Sequence, residues 1–178
     1  MGRLTHIREI VRRNRHTYTE YSLVATAHVA WLFPAGRLKD RLLEYAAVNA
    51  FSIFVVFHAS AWKEIDAWKL MRLKTGLTRL EFQIANAVAH QLPCLLLFWR
   101  CRKHVSSQVP LSGLRTAYLH VLWALVTQRG LDLSDVYVRI PKQAQAFLWF
   151  VTLAGHLLGA RLVSMLPSRQ AHPRALAS

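Results

Sequence analysis

Two stretches decide how this chain folds: Tyr45–Trp62 reads YAAVNAFSIFVVFHASAW, and Phe82–Trp99 reads FQIANAVAHQLPCLLLFW. Each is 18 residues long and carries no formal charge. That places both at the short edge of the roughly 17–25 apolar residues needed to cross a hydrocarbon layer about 30 Å thick. An unpaired backbone amide in lipid costs several kcal/mol, so a spanning segment is a helix or part of a closed barrel. Barrel strands alternate inward and outward residues over about 10 positions; the runs SIFVVF and CLLLFW do not alternate. The two stretches therefore predict helices.

Three more apolar runs extend the pattern outward: Tyr18–Phe33, about Ala117–Val126, and Ala144–Ala160 with an extension to Leu166. The expected architecture is all-α, with four or five short transmembrane helices. Residues 18–166 form the membrane domain, 1–17 a basic amphipathic surface helix, and 167–178 a polar tail. Pro34 closes the first run, and Pro93, inside the third, kinks it or starts a new turn. Residues 100–110 read as a basic loop. Residues 128–143 read as a loop with one helical turn, because Gly130 and Pro141 interrupt them. Trp31, Trp62, Trp68, Trp99, Trp123 and Trp149 mostly stand near run ends, where an indole keeps its body in acyl chain and its N–H at the headgroups.

Composition agrees. Hydrophobic residues make up 53% and mean hydropathy is +0.20, yet 23 Lys and Arg face only 9 acids, for a net charge of +14. The charge lies between the apolar runs rather than within them. Nucleic-acid binding would account for the charge but not for charge-free runs of this length, so no nucleic-acid partner is expected. Near the N-terminus, Leu4, Ile7, Ile10 and Val11 share one helical face while Arg12, Arg13 and Arg15 lie mostly off it. Such a helix suits an anionic membrane surface, and it resembles an organelle transit segment in being Arg-rich and acid-poor. Between the second and third runs, Trp62, Ile65, Trp68 and Met71 recur every three residues among Lys69, Arg72 and other cations, as in a helix lying at the interface. Together with Arg100, Arg102 and Lys103, these basic residues are the expected contacts to phospholipid headgroups, cardiolipin among them.

Histidine is the most suggestive residue type. His28, His58, His90, His120 and His156 place one imidazole in each apolar run. Polar groups at membrane depth point at a partner, a cavity or a cofactor. His28, His90, His120 and His156 are accordingly candidate cofactor ligands, with b-type haem held by two imidazoles as the specific form. The plainer reading is interhelical hydrogen bonding, and on it no cofactor is bound. Asn86 and His90 share a helical face ahead of Pro93. This N-x-x-x-H-x-x-P pattern resembles a segment of the androgen-induced-gene family of multi-pass threonine hydrolases, over about residues 82–160. The resemblance implies a general-base role for His90. Thr19 and Thr26 are the only threonines in an earlier run, and neither stands in the family's context.

Cys94 and Cys101 are seven residues apart, about 10 Å along one helix, too far to bridge. No metal-binding Cys/His spacing, phosphate loop, GxSxG or HExxH motif occurs. All nine acids sit at run ends or in connections, which argues against ion or proton transport. The expectation is a non-catalytic accessory subunit of a larger membrane complex, most naturally in the mitochondrial inner membrane, in contact with other subunits and anionic lipids. The alternatives are a membrane-embedded enzyme using His90 and a haem-binding anchor.

Overall fold

The computed structural model describes residues 27–60, 76, 78–104, 112–127 and 142–166, and among them every regular element is helical. The elements are a π-helical turn at His28–Leu32, α1 (Arg37–Ser60), α2 (Arg79–Asn86), a second π-turn (Ala87–Gln91), α3 (Leu92–His104), α4 (Gly113–Thr127) and α5 (Lys142–Ser164). The N-terminal surface helix, the interfacial segment 62–73 and the polar tail lie outside the described residues, with Arg12, Arg13, Arg15, Lys69 and Arg72.

Local chemistry sets the boundaries. The first run ends as expected before Pro34: the turn stops at Leu32, and the Phe33 N–H donates back to the His28 carbonyl at 3.0 Å. Helix α2 starts at a capping box. The Thr78 hydroxyl accepts from the Glu81 N–H, and the Glu81 carboxylate accepts from the Thr78 N–H at 2.9 Å. The π-turn at Ala87–Gln91 immediately precedes Pro93, and the Leu92 N–H reaches the Ala87 carbonyl five residues back. Proline has no N–H to give the Ala89 carbonyl, so the wide turn takes up the mismatch and the chain stays helical from Arg79 to His104.

Two expectations need correction. Residues 100–104 are not loop: α3 continues through His104, because Cys101 is packed into the core and holds the basic turn in the helix. Nor does the second helix begin at Tyr45. It starts two turns earlier, at Arg37, and buries Leu43 and even Glu44, which is 2% exposed and paired with Arg41 at 3.1 Å. Charges in this segment hid its helical continuity.

Helix α1 is the axis of the bundle, with α5 and α3 packed along it; α4 packs on α5. The core gathers Leu43, Ala46, Ala47, Val48 and Ala50 of α1, Cys94, Leu97 and Cys101 of α3, and Ala160 and Val163 of α5. Gly155 lies against Ser52 and Gly159 against Val48 and Phe51, so α5 descends as α1 rises and the two are antiparallel. Small residues allow this approach. A Cβ on Gly155 would sit 2.9 Å from the Ser52 Cα, and the Ser52 hydroxyl donates to the Thr152 carbonyl across the seam at 3.0 Å. Gly155-x-x-x-Gly159 is thus a small-residue seam of the type that lets apolar helices meet backbone to backbone.

Two of the described helices, over Arg37–Ala59 and Gln145–Ser164, are long and apolar enough to cross a membrane. At 15 residues α4 is about 22 Å long, short of a full crossing by itself. The surface the bundle turns outward is apolar. One stripe runs Leu80, Ile84, Val88, Leu92, Leu95, Trp99, each three or four residues from the last. Leu114, Tyr118, Leu122 and Leu125 continue it on α4, and Phe147, Phe150, Leu153, Leu157 and Leu162 on α5.

Candidate functional site

The antiparallel pairing of α4 with α5 depends on Gly113. A Cβ there would lie 2.7 Å from the Leu157 Cα, so only glycine allows the start of α4 to rest on the α5 backbone. The close approach seals a polar chain between the helices. Thr116, His156 and His120 are 1%, 0% and 9% exposed. The Thr116 hydroxyl donates to the Gly113 carbonyl at 2.8 Å, which leaves its lone pairs to accept from the Nδ1–H of His156 at 3.1 Å. The Nε2 of His156 is then an acceptor, and the Nδ1–H of His120 donates to it at 3.1 Å. One consistent set of tautomers satisfies every link. Trp149 and Trp123 flank His120, with ring centroids at 5.7 and 6.4 Å.

His90 stands elsewhere. It rides the π-turn, its ring stacked on Phe57 of α1 with centroids 4.1 Å apart and planes 18° off parallel. Its Nδ1–H donates to the Asn86 carbonyl at 3.2 Å. Asn86 enters this bond through its main-chain carbonyl, which any residue at that position would supply. That bond fixes the tautomer and makes Nε2 the acceptor, the form in which a histidine takes a proton. His58, neighbour of Phe57 in sequence, stacks edge-on against Phe54 at 4.3 Å, so two imidazoles share this aromatic cluster.

Of the four candidate ligands, the fold unites His120 with His156 and keeps His28 and His90 apart from them. His28 is exposed. The His120–His156 pair does not fit a bis-imidazole haem. Two axial ligands would hold their nitrogens about 4 Å apart, twice a metal–imidazole bond of about 2 Å, with a macrocycle between them. Here the nitrogens meet at 3.1 Å, and Gly113 packs on the α5 backbone beside them. Among the described residues no cluster of three or more His, Cys, Asp or Glu is placed to hold a metal ion. Of the predicted headgroup contacts, Arg100 and Arg102 lie near the end of α3; the Arg100 guanidinium sits 5.8 Å from the Trp31 ring centroid. Lys103 belongs to the same last turn.

Sequence reasoning missed Thr116, Gly113 and the Gly155/Gly159 seam. The glycine pair was legible as GxxxG inside an apolar helix. Thr116 was not, since its role depends on which helix α4 meets. Comparison with protein-family models, with curated proteins and with solved structures gave no match to this chain.

Proposed function

We propose that this chain is a multi-pass integral membrane protein with four or five short spans, serving as a non-catalytic accessory subunit of a larger membrane complex. One observation carries the reading: the described helices turn leucine, valine, phenylalanine and tryptophan outward, while inside two histidines and a threonine bond to one another and a serine bonds across the helix seam to a backbone carbonyl. A water-soluble bundle would cover its apolar core with a mainly polar surface and not with stripes of large apolar side chains. Polar side chains bonded to one another between apolar helices hold those helices together. The mitochondrial inner membrane is the favoured location, on the strength of the basic, acid-poor segment 1–17 and the sequence pI of about 10.9. Two measurements test this. Sodium carbonate or high salt should fail to release the protein from membranes while mild detergent releases it. On a native gel in that detergent it should migrate well above its own 20.4 kDa. Release by carbonate overturns the membrane reading, and migration as a monomer overturns the subunit reading.

A second reading is favoured by the geometry at His90. A π-turn carries it, such turns are frequent at functional sites, and the bond to Asn86 leaves Nε2 the acceptor a general base requires. On this reading the chain is a membrane-embedded hydrolase. A serine/threonine-directed activity probe that labels the wild type and not His90→Ala would establish it; equal labelling, or none, would exclude it.

A further inference from the structure

The three core helices bring their charges to one end. Antiparallel packing sets the start of α1 beside the ends of α3 and α5: Leu42 and Leu43 share a cluster with Cys101, Val163 and Leu166, and Cys101 lies beside the carboxylates of Asp40 and Glu44. Arg41 of α1, Arg100 and Arg102 of α3, and Arg161 of α5 therefore lie toward the same end of the bundle, with Arg37 and Lys39 in the turns of α1 beyond them, six cations against the two carboxylates. Those carboxylates offset only part of the group's charge. Glu44 is buried and bonded to Arg41, and Lys39 is turned back to the Phe33 carbonyl at 2.8 Å. Arg37, Arg102 and Arg161 are exposed.

What surrounds them identifies the partner. Large apolar side chains are exposed close to these arginines: Leu38 beside Arg37, Leu162 beside Arg161, and Trp99 three residues before Arg102, with Trp31 against the neighbouring Arg100. A free phosphate or an acidic peptide gains nothing from such neighbours. A molecule with a phosphodiester attached to acyl chains matches both halves. Guanidinium groups grip phosphate through paired N–H donors, and indoles prefer this depth.

We infer that this end of the bundle is a headgroup site for anionic phospholipid, with Arg37, Arg102 and Arg161 as the phosphate contacts. The inference rests on the membrane reading above and adds to it the lipid class and the end of the bundle that binds it.

The test uses the full chain purified in an uncharged detergent, with melting followed by far-UV circular dichroism. Micellar additions are cardiolipin, phosphatidylglycerol and phosphatidylcholine of matched acyl chains; a fourth arm contains inorganic phosphate. Cardiolipin and phosphatidylglycerol should raise the midpoint by about 5 °C, while phosphatidylcholine and inorganic phosphate leave it in place. The Arg37→Gln/Arg102→Gln/Arg161→Gln variant should lose that shift with unchanged helix content, and Arg79→Gln, at the far end, should keep it. Native mass spectrometry, independent of melting, should show anionic lipid retained by the wild type and lost from the triple variant. An equal shift from inorganic phosphate would make the site one for any anion and overturn the lipid assignment. An equal loss in Arg79→Gln would reduce it to overall charge, and no shift with any lipid would remove the site. These failures leave the membrane reading standing, because that falls only if the protein is extracted without detergent.

Discussion

Replacing Gly155 by alanine tests whether the α1–α5 seam holds the bundle together. The new Cβ would lie 2.9 Å from the Ser52 Cα, 3.0 Å from its Oγ and 3.2 Å from its Cβ. Ordinary contact begins near 3.4 Å, so the helices must part by about 0.5 Å at this point. The obstructing atom is backbone, and no rotamer relieves it. Parting also stretches the Ser52–Thr152 bond, now 3.0 Å. Overpacking of this kind costs about 1–3 kcal/mol. Alanine's better helix propensity returns up to about 1 kcal/mol, leaving a net loss of about 1–2 kcal/mol, or roughly 5–30-fold in the folded-to-unfolded ratio. Gly159→Ala, one turn on, is the internal control. Its Cβ would meet the Phe51 ring at 3.2 Å, the Phe51 Cβ at 3.3 Å and the Val48 Cα at 3.4 Å, so the ring can tilt away and the remaining contacts fall only about 0.1 Å or less inside ordinary range. The same chemical change there should cost less than about 0.5 kcal/mol or be slightly stabilising. Denaturation in mixed micelles of mild detergent and dodecyl sulfate, followed by circular dichroism, measures both. Equal midpoints for the two variants, or Gly155→Ala as stable as wild type, would refute the reasoning.

Thr116→Val keeps the shape of the side chain and removes the acceptor for the His156 Nδ1–H, so the same titration should show a loss of about 1–3 kcal/mol; a neutral result would mean that the chain of bonds contributes nothing. Burial, followed by the nearby Glu44 and Asp40 carboxylates, pushes the Cys101 thiol, beyond the apolar run 82–99, up from 9.0 to about 12. Maleimide at pH 7–9 should therefore label Cys101 far more slowly in the folded than in the unfolded protein. Because this folded value is raised, its contribution to stability is intact below about pH 9 and falls away as pH climbs toward 12; stability unchanged from pH 8 to pH 11, by the micelle titration, would contradict it. Thr78→Ala removes the capping box at the start of α2 and should cost about 0.5–2 kcal/mol, seen as faster amide exchange over Leu80–Phe82 while α1 and α5 stay protected.

What could be read from the sequence, and what could not, divides along a physical line. Helical elements at 45–60, 82–99, 117–126 and 144–160 were legible because uninterrupted apolar runs leave the backbone only its own carbonyls to bond. Pro34 and Pro93 marked a stop and an irregular turn because a missing N–H acts within one turn of chain. Charge misled where tertiary burial overrode it: Arg37–Glu44 and Arg100–His104 read as connections, yet burial of Leu43, Glu44 and Cys101 keeps both helical. Each histidine could be placed in its own run by inspection, but not beside its partner. Whether His120 meets His156, His90 or a cofactor depends on which helix lies alongside α4, and that is decided by how closely backbones can approach at Gly113, Gly155 and Gly159. Periodicity along a chain reports which face of a helix is apolar; only packing between helices sets which faces meet and at what depth, because that choice rests on fractions of an ångström between atoms distant in sequence.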